Sequence, residues 1–183
     1  PDQIIDRTTL RQNSFFDDIV VHVANGEPFD ERLRNVLIEA CRAEGVTTHD
    51  SGTYLCMEGP AFCTRAESKM DRILGADIVG MTANPEAKLA REAEMAYATV
   101  ARMTDYDSWR ETVVTVEEVI GHMKNNVANV HRVIRRMIPM IPLGTEDEDP
   151  VSHALSLAIT TDPACIDERY RAKYALLLGK YVD

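Results

Sequence analysis

Apolar positions along this chain switch repeatedly between a helical period and short continuous runs. Leu33, Val36, Leu37, Ala40 and Cys41 recur at helical intervals behind Asp30, an N-cap residue type, and ahead of Gly45, which suits a helix stop. Thr53 to Met57 reads as a strand running into the turn Glu58-Gly59-Pro60. Thr64-Arg65-Ala66-Glu67 is a capping box, in which the threonine hydroxyl and glutamate carboxylate satisfy N–H groups of a helix's first turn. The helix it opens is predicted to run to about Gly75. Ala76 to Met81 is short, apolar and β-branched, the pattern of a buried strand, and Pro85 suits the first turn of another helix.

Ala96 to Met103 predicts a further buried strand, ending in Thr104-Asp105-Tyr106-Asp107. A second capping box, Thr115-Val116-Glu117-Glu118, starts a long helix with Val119, Ile120, Met123, Val127, Val130, Ile134 and Met137 on its apolar positions. Residues 1–30 read as loop and short strand, Ile19-Val20-Val21-His22-Val23 being the best strand candidate. The acidic stretch Gly144 to Pro150 reads as a solvated loop, and closing helices are expected near 151–160 and 167–179. Strands alternating with helices predict an α/β sandwich with a largely parallel or mixed sheet.

Composition narrows the possible partners. The 183 residues suit one domain with a real core, and 20 Lys+Arg against 30 Asp+Glu give a formal net charge of −10. That balance disfavours a nucleic-acid partner, since affinity for a phosphate backbone comes mainly from clustered Lys and Arg. No apolar run reaches the roughly 18–20 residues that span a bilayer, so no membrane partner is expected. Cys41, Cys56, Cys63 and Cys165 form no CxxC and no paired Cys/His spacing, so no metal is expected and reduced thiols in a cytoplasmic setting are. Cys56 and Cys63 are near enough in sequence to pair, and sequence does not test their geometry.

Ligands of open α/β sheets bind outside the carboxyl ends of the strands. Two such ends carry polar residues here. Gly80-Met81-Thr82 precedes a helix N-terminus, whose unpaired N–H groups and dipole favour an anion such as phosphate. Thr104-Asp105-Tyr106-Asp107 carries two carboxylates at i and i+2, which share a direction if the segment is extended. A carboxyl group in a partly dry pocket has a raised pKa and can protonate a heterocyclic nitrogen. The turn Gly59-Pro60-Ala61-Phe62 is placed to present Phe62 as a stacking face. Plainer readings stand beside each: Thr82 as a helix cap, Asp105 and Asp107 as turn carboxylates, Phe62 and Met81 as core.

These same residues carry a resemblance. Gly52-Thr53-Tyr54, Glu58-Gly59-Pro60-Ala61-Phe62, Arg65-Ala66-Glu67-Ser68, Gly75-Ala76-Asp77-Ile78-Val79-Gly80-Met81-Thr82, Pro85-Glu86 and Ala90-Arg91-Glu92 occur in order and resemble the trimeric purine nucleoside phosphorylase family. Ile5-Asp6-Arg7-Thr8-Thr9 and Thr104-Asp105-Tyr106-Asp107-Ser108-Trp109 narrow the resemblance to its 5′-methylthioadenosine phosphorylase branch. The resemblance implies a mixed-sheet phosphorylase/hydrolase-like sandwich with helices on both faces. Residues 1–183 would be the C-terminal part of one nucleoside phosphorylase domain, completed by a missing N-terminal segment that carries the Gly-rich phosphate loop. A processed or nicked enzyme, with that N-terminal portion as a separate chain, is therefore the expectation.

Residue roles follow from the resemblance. Asp105 would recognise the base and act as general acid at N7, supported by Asp107. Phe62 would pack on the purine and Thr104 would line the base pocket. Gly80 and Met81 would lie at the ribose, and Thr82 would contact phosphate. Val116, Val119 and Ile120 would form the 5′-methylthio pocket, and His22 would reach a neighbouring subunit's site in a homotrimer. Relatives acting on 6-oxopurines carry Glu and Asn where this chain has Cys63 and Asp105. Many close methylthioadenosine relatives carry Asn where it has Gly80. Phosphate would be the co-substrate, with no metal or organic cofactor. The implied reaction is phosphorolysis of 5′-methylthioadenosine; the alternatives are an inosine-type or methylthioinosine phosphorylase, or an inactive assembly or regulatory fragment.

Overall fold

The computed structural model describes residues 1–109, 116–144 and 149–182, apart from the side chains of Val116, Glu118 and Val119. Three strands form one sheet in the order β1 (Gln3–Arg7), β2 (Thr53–Met57), β3 (Ile78–Gly80). Every pairing is parallel, with Gln3 opposite Thr53, Arg7 opposite Met57 and Cys56 opposite Gly80. The expected mixed sheet is thus a parallel one among the described residues. In the central strand Tyr54, Leu55 and Cys56 are all buried, because a parallel strand is covered on both faces and reads as a continuous apolar run. The parallel register brings all three carboxyl ends to one rim.

Local chemistry set the helices between the strands. Asp30 accepts from the Leu33 N–H at 2.9 Å and caps α1 (Glu31–Ala43), which stops before Gly45 in a left-handed conformation. Thr64 and Glu67 form the reciprocal capping box at the start of α2 (Arg65–Ile73). Following β3, α3 (Ala83–Glu92) contains Pro85 in its first turn, with Asn84 departing from helical geometry. The long helix α4 (Val116–Met137) packs Val133 against Ala40 and Cys41 of α1. Thr115, the cap expected for α4, and Thr145–Glu148 of the acidic loop lie outside the described residues. Periodicity located α4 but not its buried face: Ile120, Met123, Val127 and Ile134 are exposed.

Three expected elements are different. Residues 19–23 form no strand; a single antiparallel bridge joins Val21 to Ile159. Their backbone is satisfied by the tail instead, with His22 N–H donating to Ala158 at 2.8 Å and Thr160 N–H to Val20 at 2.9 Å. Ile19 and Phe16 meanwhile pack with Leu155, Ala158, Ile166, Tyr174 and Leu178. Residues 96–103 also join no ladder. Ala101 packs against the Tyr54–Cys56–Ala83 cluster, but the Tyr97 carbonyl accepts from Asp30 N–H at 2.7 Å and Met103 is exposed. The closing segments are short turns of 3₁₀-helix at Pro150–His153 and Pro163–Cys165, then α5 (Glu168–Lys173) and α6 (Ala175–Leu178), broken at Tyr174. No described helix is long and apolar enough to cross a membrane.

Carboxylates fasten the outer pieces to the sheet layer. Asp6 of β1 holds Lys88 of α3 at 2.5 Å, Asp18 holds Lys173 at 2.5 Å, and Glu94 holds Lys180 at 2.6 Å. Burial opposes the charge on Asp6 and Glu94. The lysines, the Thr8 and Tyr181 hydroxyls and the Thr8 and Leu155 N–H groups outweigh it and hold both below the ordinary carboxylate range. For Asp18 the Lys173 and Tyr174 hydrogen bonds dominate, in the same direction. A folded-state pKa below the unfolded one gives stability that is complete above the unfolded value and is lost as pH falls through the folded value. The thermal midpoint should therefore be flat from about pH 8 to about pH 5 and fall steadily below about pH 4. Circular dichroism melts at stepped pH measure this; a midpoint that rises on acidification contradicts it.

Candidate active site

One side chain ties the three strand exits together. The Arg11 guanidinium, just past β1, donates to the carbonyls of Met57 and Glu58 after β2 and to those of Met81 and Asn84 after β3, the Asn84 bond at 2.7 Å. Its Nε also reaches Glu58 Oε1 at 3.2 Å, while Glu58 Oε2 accepts the N–H groups of Thr9 at 2.6 Å and Leu10 at 3.2 Å. Those N–H bonds, the largest influence, hold the Glu58 carboxyl below its usual range. A planar fork of donors makes arginine suited to such a bridge, whereas a lysine presents one compact charge. Sequence reasoning missed both residues. The available signal was Glu58, a charge placed directly at the end of an apolar strand.

Close approach also shapes this rim. Gly59 has φ +71°, and a Cβ there would lie 2.8 Å from Met81 Sδ. The turn after β2 therefore needs glycine both for its left-handed backbone and for Met81 to pack over it. Beyond it Phe62 is 82% exposed, so it is neither core nor, among the described residues, in a stack. Cys63 is buried between Met57 and Asp71, and Asp71 pairs with Arg7 of β1. Burial first, then the negative charges of Asp107 and Asp71, push the Cys63 thiol up to about 11. All four cysteines are free, so Cys56 and Cys63 form no disulfide.

Several of the residues singled out from sequence lie along this rim. Met81 and Gly80 are half-buried there. Thr82 begins α3 exposed and makes no side-chain capping bond, so the capping reading does not hold and its hydroxyl is available to a ligand. The segment after Met103 returns to the same turn: Ser108 Oγ donates to the Cys63 carbonyl at 2.8 Å, and half-buried Asp107 lies near the Cys63 thiol. Thr104 donates to Asp105 Oδ2 at 2.7 Å. Asp105 is nevertheless exposed, so the partly dry surroundings expected for it are not built by the described residues of this chain. Ile120 is exposed on α4, and the side chains of Val116 and Val119 lie outside the described residues. His22 is exposed beside the tail segment, away from this rim.

A cavity of about 730 Å³ occupies the opposite rim, lined among others by Gly52 and Asp77 at the amino ends of β2 and β3 and by Leu37, His49, Val130 and Val133. None of the candidate site residues above lines it. Size alone does not make it the site, because the Thr82 hydroxyl and the N-terminus of α3 lie at the carboxyl ends. Among the described residues no three His, Cys, Asp or Glu side chains cluster as a metal site would require.

Comparison with known proteins finds relatives in both sequence and fold. The chain is 46% identical over 188 residues to the S-methyl-5′-thioadenosine phosphorylase of Synechocystis sp., covering 99% of this chain and 57% of that protein. It is 44% identical to the enzyme of the same name from Geobacter sulfurreducens, covering 100% of this chain and 64% of that protein. The chain thus spans 57% and 64% of the length of these two relatives. Among solved structures, a methylthioadenosine phosphorylase from an antarctic soil metagenomic library superposes with a TM-score of 0.87 at 38% identity, over 97% of this chain and 64% of that one. A mutant adenosine/methylthioadenosine phosphorylase of Schistosoma mansoni in complex with methylthioadenosine superposes with a TM-score of 0.74 at 28% identity, over 98% of this chain and 63% of that one. The profile of the phosphorylase superfamily matches residues 1–139, and to that superfamily the chain belongs.

Proposed function

We propose that this chain, completed by an N-terminal portion of the same enzyme, carries out phosphorolysis of 5′-methylthioadenosine to adenine and 5-methylthioribose 1-phosphate. The observation that carries the reading is the rim itself. Arg11 holds the exits of all three strands together, with the Thr82 hydroxyl and the N-terminus of α3 left open to an anion. The names of relatives at 44–46% identity support the choice of substrate.

In this reading phosphate sits at Thr82 and the ribose at Gly80 and Met81. Phe62 and Thr104 flank the base, and Ile120 with Val116 and Val119 receive the methylthio group. The C1′–N9 bond breaks with its electron pair going to the purine, while a phosphate oxygen forms the new bond at C1′. Asp105 gives its proton to N7, which neutralises the negative charge that the bonding pair would otherwise leave on the departing adenine, and Asp107 supports that contact. Bound phosphate stabilises the positive charge that develops on the sugar as it attacks. The units assemble as a cytoplasmic homotrimer in which His22 approaches a neighbour's site, and no metal or organic cofactor takes part.

Base release in the complete enzyme tests the reading. Adenine should appear only when phosphate is present, together with one equivalent of 5-methylthioribose 1-phosphate. Equal release without phosphate excludes phosphorolysis, and faster release of hypoxanthine from inosine-type nucleosides favours the 6-oxopurine alternative. Intact mass of the native preparation identifies the completing portion as a separate or a continuous polypeptide.

A further inference from the structure

Gly80 has an occupied neighbour. A Cβ at position 80 would lie 1.9 Å from the Tyr54 hydroxyl oxygen and 2.5 Å from Tyr54 Cζ, so a side chain at 80 requires the tyrosine to move. Tyr54 is itself buried in the cluster with Cys56 and Ala83, which fixes its ring along β3. Its hydroxyl stands where the strand ends and accepts the Thr82 N–H at 3.5 Å. The O–H proton of Tyr54 has no acceptor among the described residues.

We infer that Tyr54 is a positioning residue for the phosphate end of the site. By filling the space over Gly80 and holding the Thr82 N–H, it sets the path of Gly80-Met81-Thr82 and thereby the direction of the Thr82 hydroxyl. The inference rests on the reading of Thr82 as a phosphate contact. It also accounts for glycine at 80 by packing, because the tyrosine hydroxyl fills the space that a side chain at 80 would take. Tyr54 and Gly80 then form a matched pair, and each constrains what the other position can hold.

Two sets of variants in the complete enzyme test this. Tyr54→Phe removes the hydroxyl alone. It should raise KM for phosphate about threefold to tenfold, the loss of one neutral hydrogen bond, and raise KM for the nucleoside less. Its thermal midpoint should stay within about 3 °C of wild type. An unchanged phosphate KM, or an equal rise in both KM values, overturns the positioning role. Separately, Gly80→Ala should lower the thermal midpoint sharply, and Tyr54→Val should relieve that loss in the double variant, a non-additivity expected only of groups sharing one space. Midpoint losses that simply add overturn the matched pair. A wild-type enzyme that releases base without phosphate overturns the functional reading alone, and the thermal cycle then still decides the pairing of Tyr54 with Gly80.

Discussion

Replacing Arg11 with methionine in the complete enzyme is expected to lower kcat/KM for phosphorolysis by about a hundredfold, the penalty for displacing a site by roughly an ångström. Methionine keeps much of the side-chain length but leaves the carbonyls of Met57, Glu58, Met81 and Asn84 without their shared donor. It also leaves the Glu58 carboxylate without its cation. Both groups are partly exposed, so water recovers some of the loss, and the expected destabilisation is about 2–4 kcal/mol. Arg11→Lys should recover stability better than activity. A single ammonium satisfies Glu58 or two carbonyls, but it does not span both strand exits. Steady-state kinetics and thermal melts of the two variants read this directly. A lysine variant with full activity would show that charge alone, without the fork, suffices at this rim.

Asp105→Asn is expected to cut kcat/KM for adenine nucleosides by about 10²–10⁴, the range for losing a general acid, while leaving the thermal midpoint nearly unchanged. Stability should survive because Asp105 is exposed and its hydrogen bond is to the neighbouring Thr104 hydroxyl. An asparagine amide still donates to N7 and accepts from the adenine amino group, but it has no acidic proton to transfer. Hypoxanthine nucleosides should lose much less, so the ratio of the two activities moves toward the 6-oxopurine. Such discrimination is steep where a mismatched base edge leaves polar groups unpaired. Undiminished adenine release by this variant removes Asp105 from the mechanism, and its exposure in this chain makes the experiment a demanding one.

What could be read from the sequence was local. Asp30, Thr64 and Glu67 marked helix starts because a cap needs only residues within one turn. Thr53 to Met57 announced a central strand because a segment covered on both faces must be apolar throughout. The residues at the end of β3, from Gly80 to Thr82, pointed to the rim that Arg11 ties together, because a strand end is visible in the residues themselves. The ordered motifs also carried the family, since each constrains one turn or one strand end.

Tertiary structure alone decided the rest. Residues 19–23 and 96–103 have strand composition, but a ladder requires a partner strand. Here the tail and Asp30 satisfy backbone groups of these segments instead. The buried side of α4 was likewise undetermined, since periodicity gives a face and only packing against α1 selects Val133. Arg11 reaches Met81 and Asn84 across about seventy residues of chain, and Tyr54 meets Gly80 from the neighbouring strand. Side chains that distant in sequence meet only once the sheet register has formed. The chain by itself therefore determined its capped helices, its central strand and its superfamily, while the parallel alignment of three strands decided which polar groups share the rim.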